Sequence, residues 1–224
     1  SMGNQDIRAY LNGLFFELNN DTVTVVATDG HRLSIGEIKQ NNKLDEKKTV
    51  ILPRKAVIEL TKLLNKSSQK MAEIRLSDNY FSLFDSNTRI ISRLIDGNFP
   101  NYKQILPTDF TNTVVVNRVD FLSSLQQASI FVEERTKGVK LVFREGRLSI
   151  FSHSERGRAE TQIEVKGQEK ELEIAFNIHY LISVLEKLTA DEINMVIPGD
   201  ENKSCLLGAI GDESYQYIVM PMRI

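Results

Sequence analysis

A strand, a cap and a helix occur twice in this chain, and that repeat restricts the folds open to it. Val50–Leu64 reads as a short strand, then Pro53, then a helix with apolar Ala56, Val57, Leu60, Leu63 and Leu64 at helical spacing. Ile174–Leu188 repeats the order, with Asn177 as the cap. Gly13–Glu17 and Leu141–Glu145 share a strand pattern at a similar offset. Repeated supersecondary units predict similar domains built side by side. With 224 residues, two domains of ordinary size fit. The division falls at Pro107-Thr108-Asp109, giving domains 1–107 and 108–224.

Between these markers the chain is mostly strands. Leu14–Leu18 and Val23–Ala27 flank the turn cluster Asn19-Asn20-Asp21, a hairpin signal. Strands read from Tyr10 onward. Asp29-Gly30 makes a tight turn into Leu33–Ile38. Three more strands follow the first helix, at Ala72–Leu76, Tyr80–Asp85 and Thr88–Leu94. The second half opens with strand Thr113–Val116 and a helix capped by Asn117, with Phe121, Leu122, Leu125 and Ala128 as its stripe. Strands at Val139–Phe143, Leu148–Ser152, Ala159–Val165 and Leu172–Phe176 lead to a helix through Leu188. Glu192–Ile197, Ser204–Ala209 and Tyr215–Met220 finish the chain. The first half has no counterpart to the Thr113–Ala128 strand and helix. The chain therefore reads as a fragment, with a strand edge near Tyr10–Leu18 left uncovered and prone to association.

The end of the chain, Tyr217 to Ile224, is apolar except for Arg223. Chain ends are usually polar and frayed, so such a tail is either packed down or held for a partner. Pro221 cannot donate to a ladder, which stops the strand near Met220. That leaves Met220, Met222 and Ile224 to line a surface, and methionine suits surfaces that accept several partners.

Composition narrows the chemistry. Lys plus Arg is 28 against 30 for Asp plus Glu, so any nucleic-acid contact comes from a local patch. The single cysteine, Cys205, lies in an apolar run; it rules out an internal disulfide framework and fits a reducing cytoplasm. No apolar run reaches the ~20 residues of a membrane span. Asp29 and His31 are the one pair that suggests a hydrolase, but no nucleophile or second base accompanies them. His153 and His179 have no ligand spacing for zinc, no glycine-rich phosphate loop occurs, and Glu133-Glu134 reads as a solvated pair. Arg54, Lys55, Lys62 and Lys66, with Glu59 among them, form a basic face on the first helix. Ser123, Ser124 and Gln127 make the polar face of the second helix.

Several short strings then agree with one family. Asp6-Ile7-Arg8, Tyr10-Leu11-Asn12-Gly13, Thr28-Asp29-Gly30-His31-Arg32-Leu33, Asp96-Gly97-Asn98-Phe99-Pro100-Asn101-Tyr102 and Val219-Met220-Pro221-Met222-Arg223 resemble the bacterial DNA polymerase III beta subunit, the DNA sliding clamp. The resemblance runs through the whole chain in order. It implies an α+β fold of two similar clamp domains, antiparallel sheets outside and helices on the inner face, the first domain lacking its first strand and helix. It implies a non-catalytic processivity factor without cofactor or metal. Its partners would be duplex DNA, DNA polymerase subunits, the clamp loader and other replication or repair proteins that carry short linear motifs.

The resemblance also assigns residues. A pocket for partner motifs would take Thr28, Gly30, His31, Arg32 and Leu33, with Arg8 and Leu11 nearby. Pro100 and Ile105 would border it, and Asn177, Tyr180, Ser204 and Ile218, Val219, Met220, Pro221, Met222, Arg223 and Ile224 would complete it. Gln104 stands where the family pattern has arginine. Gln5, Tyr10, Arg54 and Lys55 would face DNA through few, loose phosphate contacts that allow sliding. Ile130 and Phe131 would meet the neighbouring subunit of a homodimeric ring, where Arg156 and Arg158 replace expected acidic residues. A fragment of this kind would keep the pocket, stay monomeric and fail to close the ring. The alternative from another class is a peptide-binding module that acts without DNA.

Overall fold

A computed structural model describes all residues except 43, 45, 70, 86, 87, 168–170, 198–202 and 224. The chain divides into two compact units, Ser1–Asn101 and Tyr102–Ile224.

The first unit begins with a 3-10 turn at Ala9–Asn12, where the sequence reading had placed a strand from Tyr10. The strand β1 (Gly13–Leu18) starts only at Gly13. A Cβ there would lie 2.5 Å from the Leu52 carbonyl oxygen, so the two strands approach closely enough to require glycine. β2 (Thr22–Thr28), β3 (Arg32–Lys39) and β4 (Lys48–Pro53) complete an antiparallel sheet in the order β3-β2-β1-β4. The expected open edge at Tyr10–Leu18 is not there. β1 pairs with β2 on one side and with β4 along its whole length on the other. Helix α1 (Arg54–Lys66) follows, and β5 (Glu73–Leu76), β6 (Tyr80–Asp85) and β7 (Thr88–Arg93) form a separate three-stranded sheet. Leu52, Leu60, Phe81 and Leu83 are buried together, with Phe16 and Val57 among the residues packed around them.

The second unit repeats this plan and adds one strand and one helix. β8 (Thr113–Asn117) and α2 (Arg118–Ser129) come first. β9 (Gly138–Arg144), β10 (Arg147–Ser154), β11 (Gly157–Lys166) and β12 (Leu172–Asn177) correspond to β1–β4. α3 (Ile178–Leu185) corresponds to α1. β13 (Glu192–Val196), β14 (Cys205–Ala209) and β15 (Tyr215–Val219) correspond to β5–β7. β8 joins the two halves. Its Val116 pairs with Val165 of β11 on one side and with Ile193 of β13 on the other. The unit therefore has one sheet, β12-β9-β10-β11-β8-β13-β14-β15. No counterpart of β8 and α2 occurs among the described residues of the first unit, and there the two sheets stay unjoined.

The extra helix also enlarges the core. Phe121, Leu125 and Ala128 of α2 are fully buried with Phe143, Ile150, Leu181 and Leu185. Each large apolar side chain so placed contributes roughly 1.5–3 kcal/mol. Ser124, expected on the polar face of α2, is buried too, because it sits three residues after Phe121 on the same stripe. α3 stops at Leu185, short of the expected Leu188. A hydrogen-bonded turn then carries Leu188 into the core, its amide bonding the Val184 carbonyl at 3.1 Å. Cys205 is fully buried in β14, and burial pushes its thiol pKa well up.

The α2 cap is as the sequence suggests. The Asn117 side-chain oxygen accepts from the amides of Val119 at 2.9 Å and Asp120 at 3.1 Å. Asn117→Ala leaves both amides without that acceptor and should cost about 1 kcal/mol, within roughly 0.5–2. Urea unfolding followed by circular dichroism measures it.

Candidate partner-binding site

In the first unit, the Thr28–Leu33 turn is held by its own side chains. The Asp29 carboxylate accepts from the amides of His31 (3.0 Å) and Arg32 (3.1 Å), and from the Arg32 guanidinium (3.0 Å). Thr28 donates its hydroxyl to the Arg32 carbonyl at 2.6 Å and accepts from the Gly30 amide at 3.0 Å. Gly30 has φ 91°, a left-handed conformation that glycine adopts without strain. This geometry removes the hydrolase reading. Asp29 spends its carboxylate on the turn and on Arg32 rather than on the His31 ring.

Arg8 lies against this turn. A Cβ on Gly30 would come within 3.3 Å of its guanidinium. Asp6 orients Arg8 through a two-point contact, with Nε at 3.0 Å and the terminal nitrogen at 2.9 Å. Asn12 holds the Asp6 backbone in turn, accepting from its amide at 2.9 Å and donating to its carbonyl at 2.7 Å. Leu11 and Leu33 are buried, whereas Gly30, His31 and Arg8 are exposed. Asp6 and Asn12 as supports of Arg8, and Asp29 as the support of Arg32, were missed from the sequence. The Asp-x-Arg spacing of Asp6 and Arg8 was the available signal.

In the second unit, the end of the chain is packed down as well as displayed. Ile218 and Val219 are buried in β15, where Val219 pairs with Cys205. Beyond the strand, the Met222 amide donates to the Ala175 carbonyl of β12 at 2.8 Å. Met220, Pro221 and Met222 are half-buried and Arg223 is exposed. Ile224 lies outside the described residues. Asn177 caps α3, accepting from the His179 amide at 3.0 Å. One turn along, the Tyr180 carbonyl accepts from the Tyr217 hydroxyl at 3.0 Å. Ser204 donates to the Ile105 carbonyl and leaves the Ile105 side chain 40% exposed. Pro100 and Gln104 are exposed, each in its own unit.

The residues expected at DNA have mixed surroundings. Lys55 is exposed on α1 and Gln5 is exposed before it. Arg54 is half-buried and donates to the Met2 carbonyl at 3.0 Å, which ties the start of the chain to the helix. Tyr10 is half-buried beside Gly97. Lys62 is paired with Glu59 at 2.9 Å. At the expected seam, Ile130 is 68% exposed, while the Phe131 ring lies on Gly157, where a Cβ would be 3.1 Å away. Arg156 meets Glu134 at 3.3 Å.

Comparison with known proteins divides the chain close to where the two units meet. The sequence model for the DNA polymerase III beta subunit central domain matches residues 1–101, and that for its C-terminal domain matches residues 103–223. The chain belongs to the DNA polymerase III beta subunit family. The beta sliding clamp of Haemophilus influenzae is 38% identical over the whole chain, and that of Pseudomonas putida 33%. The chain spans about 61% of the length of each. The crystal structure of the subunit from Pseudomonas aeruginosa superimposes with a TM-score of 0.95 at 32% identity, covering all of this chain and 61% of that one. The Thermotoga maritima subunit gives 0.93 at 28%, covering 60% of that chain. One solved Pseudomonas aeruginosa sliding clamp is bound to griselimycin. Sliding clamps are non-catalytic processivity factors. Among the described residues, no helix is long and apolar enough to cross a membrane.

Two predictions follow from the first-unit turn. The Arg8 guanidinium and amide hold the Asp6 carboxyl down at about 2, from an ordinary 3.8. Because the folded value is the lower one, the contact is complete above about pH 4 and is lost as pH falls through about 2. Carboxyl-carbon NMR should show that midpoint for Asp6, and Arg8→Ala should return it toward 3.8. Gly30→Ala forces a side chain into left-handed backbone against Arg8, and should lower thermal stability by about 1–2 kcal/mol.

Proposed function

We propose that this chain is the central and C-terminal portion of a sliding clamp that helps hold DNA polymerases on duplex DNA in the bacterial cytoplasm. The observation that carries this reading is the match to both clamp domains, in order, over nearly the whole chain. The clamp holds rather than reacts, so its chemistry is recognition. Duplex DNA would meet Lys55, Arg54, Gln5 and Tyr10 through phosphates, with a salt-sensitive affinity weak enough to permit sliding. Ile130 and Phe131 would meet the neighbouring subunit of a ring.

Partner proteins would dock short motifs on the residues of both units described above. Arg8, Leu11, Thr28, Gly30, His31, Arg32, Leu33 and Pro100 would come from the first. Ile105, Asn177, Tyr180, Ser204 and Ile218 through Ile224 would come from the second. The supporting physics is preorganisation. Asp6 and Asp29 fix the two arginines, and the Met222–Ala175 bond fixes the tail. A motif therefore orders little protein on binding, which lowers the entropic cost. Leucine and phenylalanine anchors suit half-buried methionines, which adapt to more than one partner. Gln104, in place of arginine, would weaken any preference for acidic residues at that rim.

A short peptide of the Gln-Leu-x-Leu-Phe type, titrated by calorimetry, tests this. The expected dissociation constant is about micromolar, on the order of -8 kcal/mol, and binding should vanish when the chain is cut after Met220. Absence of binding to the intact chain would overturn the pocket assignment. Duplex affinity that ignores salt would favour a peptide-binding module acting without DNA.

A further inference from the structure

The outward face of β5-β6-β7 carries a combination that neither the peptide site nor the α1 face uses. Cross-strand register puts Glu73, Arg75, Tyr80, Ser82, Phe84, Arg89, Ile91 and Arg93 on this one face. The guanidiniums of Arg75 and Arg89 each lie 4.7 Å from the Phe84 ring centre, stacked as cations on an aromatic. Arg75 also pairs with Glu73 at 2.6 Å. Among the described residues, neither Arg89 nor Arg93 has a carboxylate within ion-pair distance. Tyr80 is 50% exposed and Ile91 53%, so an aromatic and an apolar surface lie open between the cations. A depression of about 400 Å³ runs over Tyr80, Ser82 and Ile91 and is flanked by Arg75 and Arg89.

The matching face of the second unit serves as an internal contrast. There β13 and β14 present Asn194, Val196, Leu206 and Gly208, and the cavity over them is lined by Leu106 and Phe110 with Asp212 and Glu213 beside it. Among the described residues it has no arginine, and its charge has the opposite sign. The same architecture thus carries a cationic aromatic surface in one unit only.

We propose that the outward face of β5-β6-β7 binds single-stranded nucleic acid, with phosphates on Arg75, Arg89 and Arg93 and bases against Tyr80 and Ile91. Charge complementarity selects a polyanion. The open ring and apolar side chain between the cations select one whose flat base faces are free, since stacking on aromatics with flanking arginines is how sequence-tolerant single-strand sites work. A duplex hides those faces, and an acidic peptide would leave Tyr80 and Ile91 unused. Arg89 and Arg93 stand about 13 Å apart along β7, at roughly 3.3 Å per residue. That separation leaves room for a base over Ile91.

The test uses the 224-residue chain and a fluorescein-labelled oligothymidylate of about 12 nucleotides, a length within single-strand site sizes. Anisotropy at low salt should show binding that weakens as salt rises. Arg89→Glu with Arg93→Glu should reduce affinity at least about tenfold, and Tyr80→Ala at least about fivefold, as expected for loss of one stacked base. Arg144→Ala, an exposed arginine of the second unit, should leave it unchanged. Photo-cross-linking of a bromouracil oligonucleotide to the unaltered protein should mark the Tyr80 peptide, whatever the folding of the variants. Unchanged affinity in folded charge-reversed protein, cross-links only elsewhere, or equally tight binding of an oligoglutamate that ignores Tyr80→Ala would each overturn the proposal.

Discussion

An antiparallel strand with one wet face needs something apolar to cover the other, and helices are the cover in both units. Among the described residues the second unit has two, α2 and α3, and its core residues are buried from Val114 to Val219. Among its described residues the first has only α1, whose Leu64 is 46% exposed, and Ile74 of β5 is 36% exposed. The positions matching them, Leu188 and Ile193, are buried. One strand and one helix account for that contrast. β8 supplies backbone partners to both β11 and β13, and α2 covers the sheet beneath. Buried backbone groups cannot go unpaired, so the joined sheet and the closed core of the second unit arise together.

The residues proposed to bind partners depend on this framework differently in the two units. In the first, they sit on a turn that side chains brace from within, and the braces are carboxylates bonded to backbone amides and to arginines. In the second, apart from Ile105 and Tyr180, they sit at the ends of β12, β14 and β15, where ladders end and individual hydrogen bonds take over. Rigid elements bring each group to the surface, and short polar contacts set its final orientation. Such a surface would change little on binding, and affinity there would depend on fit rather than on ordering.

Much of this was legible in the sequence. Period-two runs located nearly every strand, and Asn117 and Asn177 announced their helices because a side-chain oxygen before an apolar stripe has few other uses. The misses were of two kinds. Local turn chemistry displaced the expected strand at Tyr10, and a stripe position buried Ser124. Pairing partners were the harder case. Nothing in Tyr10–Leu18 alone says that β4 will return to cover it, since the partner lies some thirty residues on and is chosen by register. For the site, the strings that mark the family were visible at once. The aspartates that hold the arginines were not, because a salt-bridged carboxylate reads in sequence like any solvated one.

The buried thiol of Cys205 has a practical side. It is the only cysteine in the chain, it is fully buried at the start of β14, and burial suppresses the thiolate that alkylating reagents require. Its modification rate therefore counts openings of that unit. The folded protein comes with a single-site clock for its own breathing, readable by mass with no label introduced.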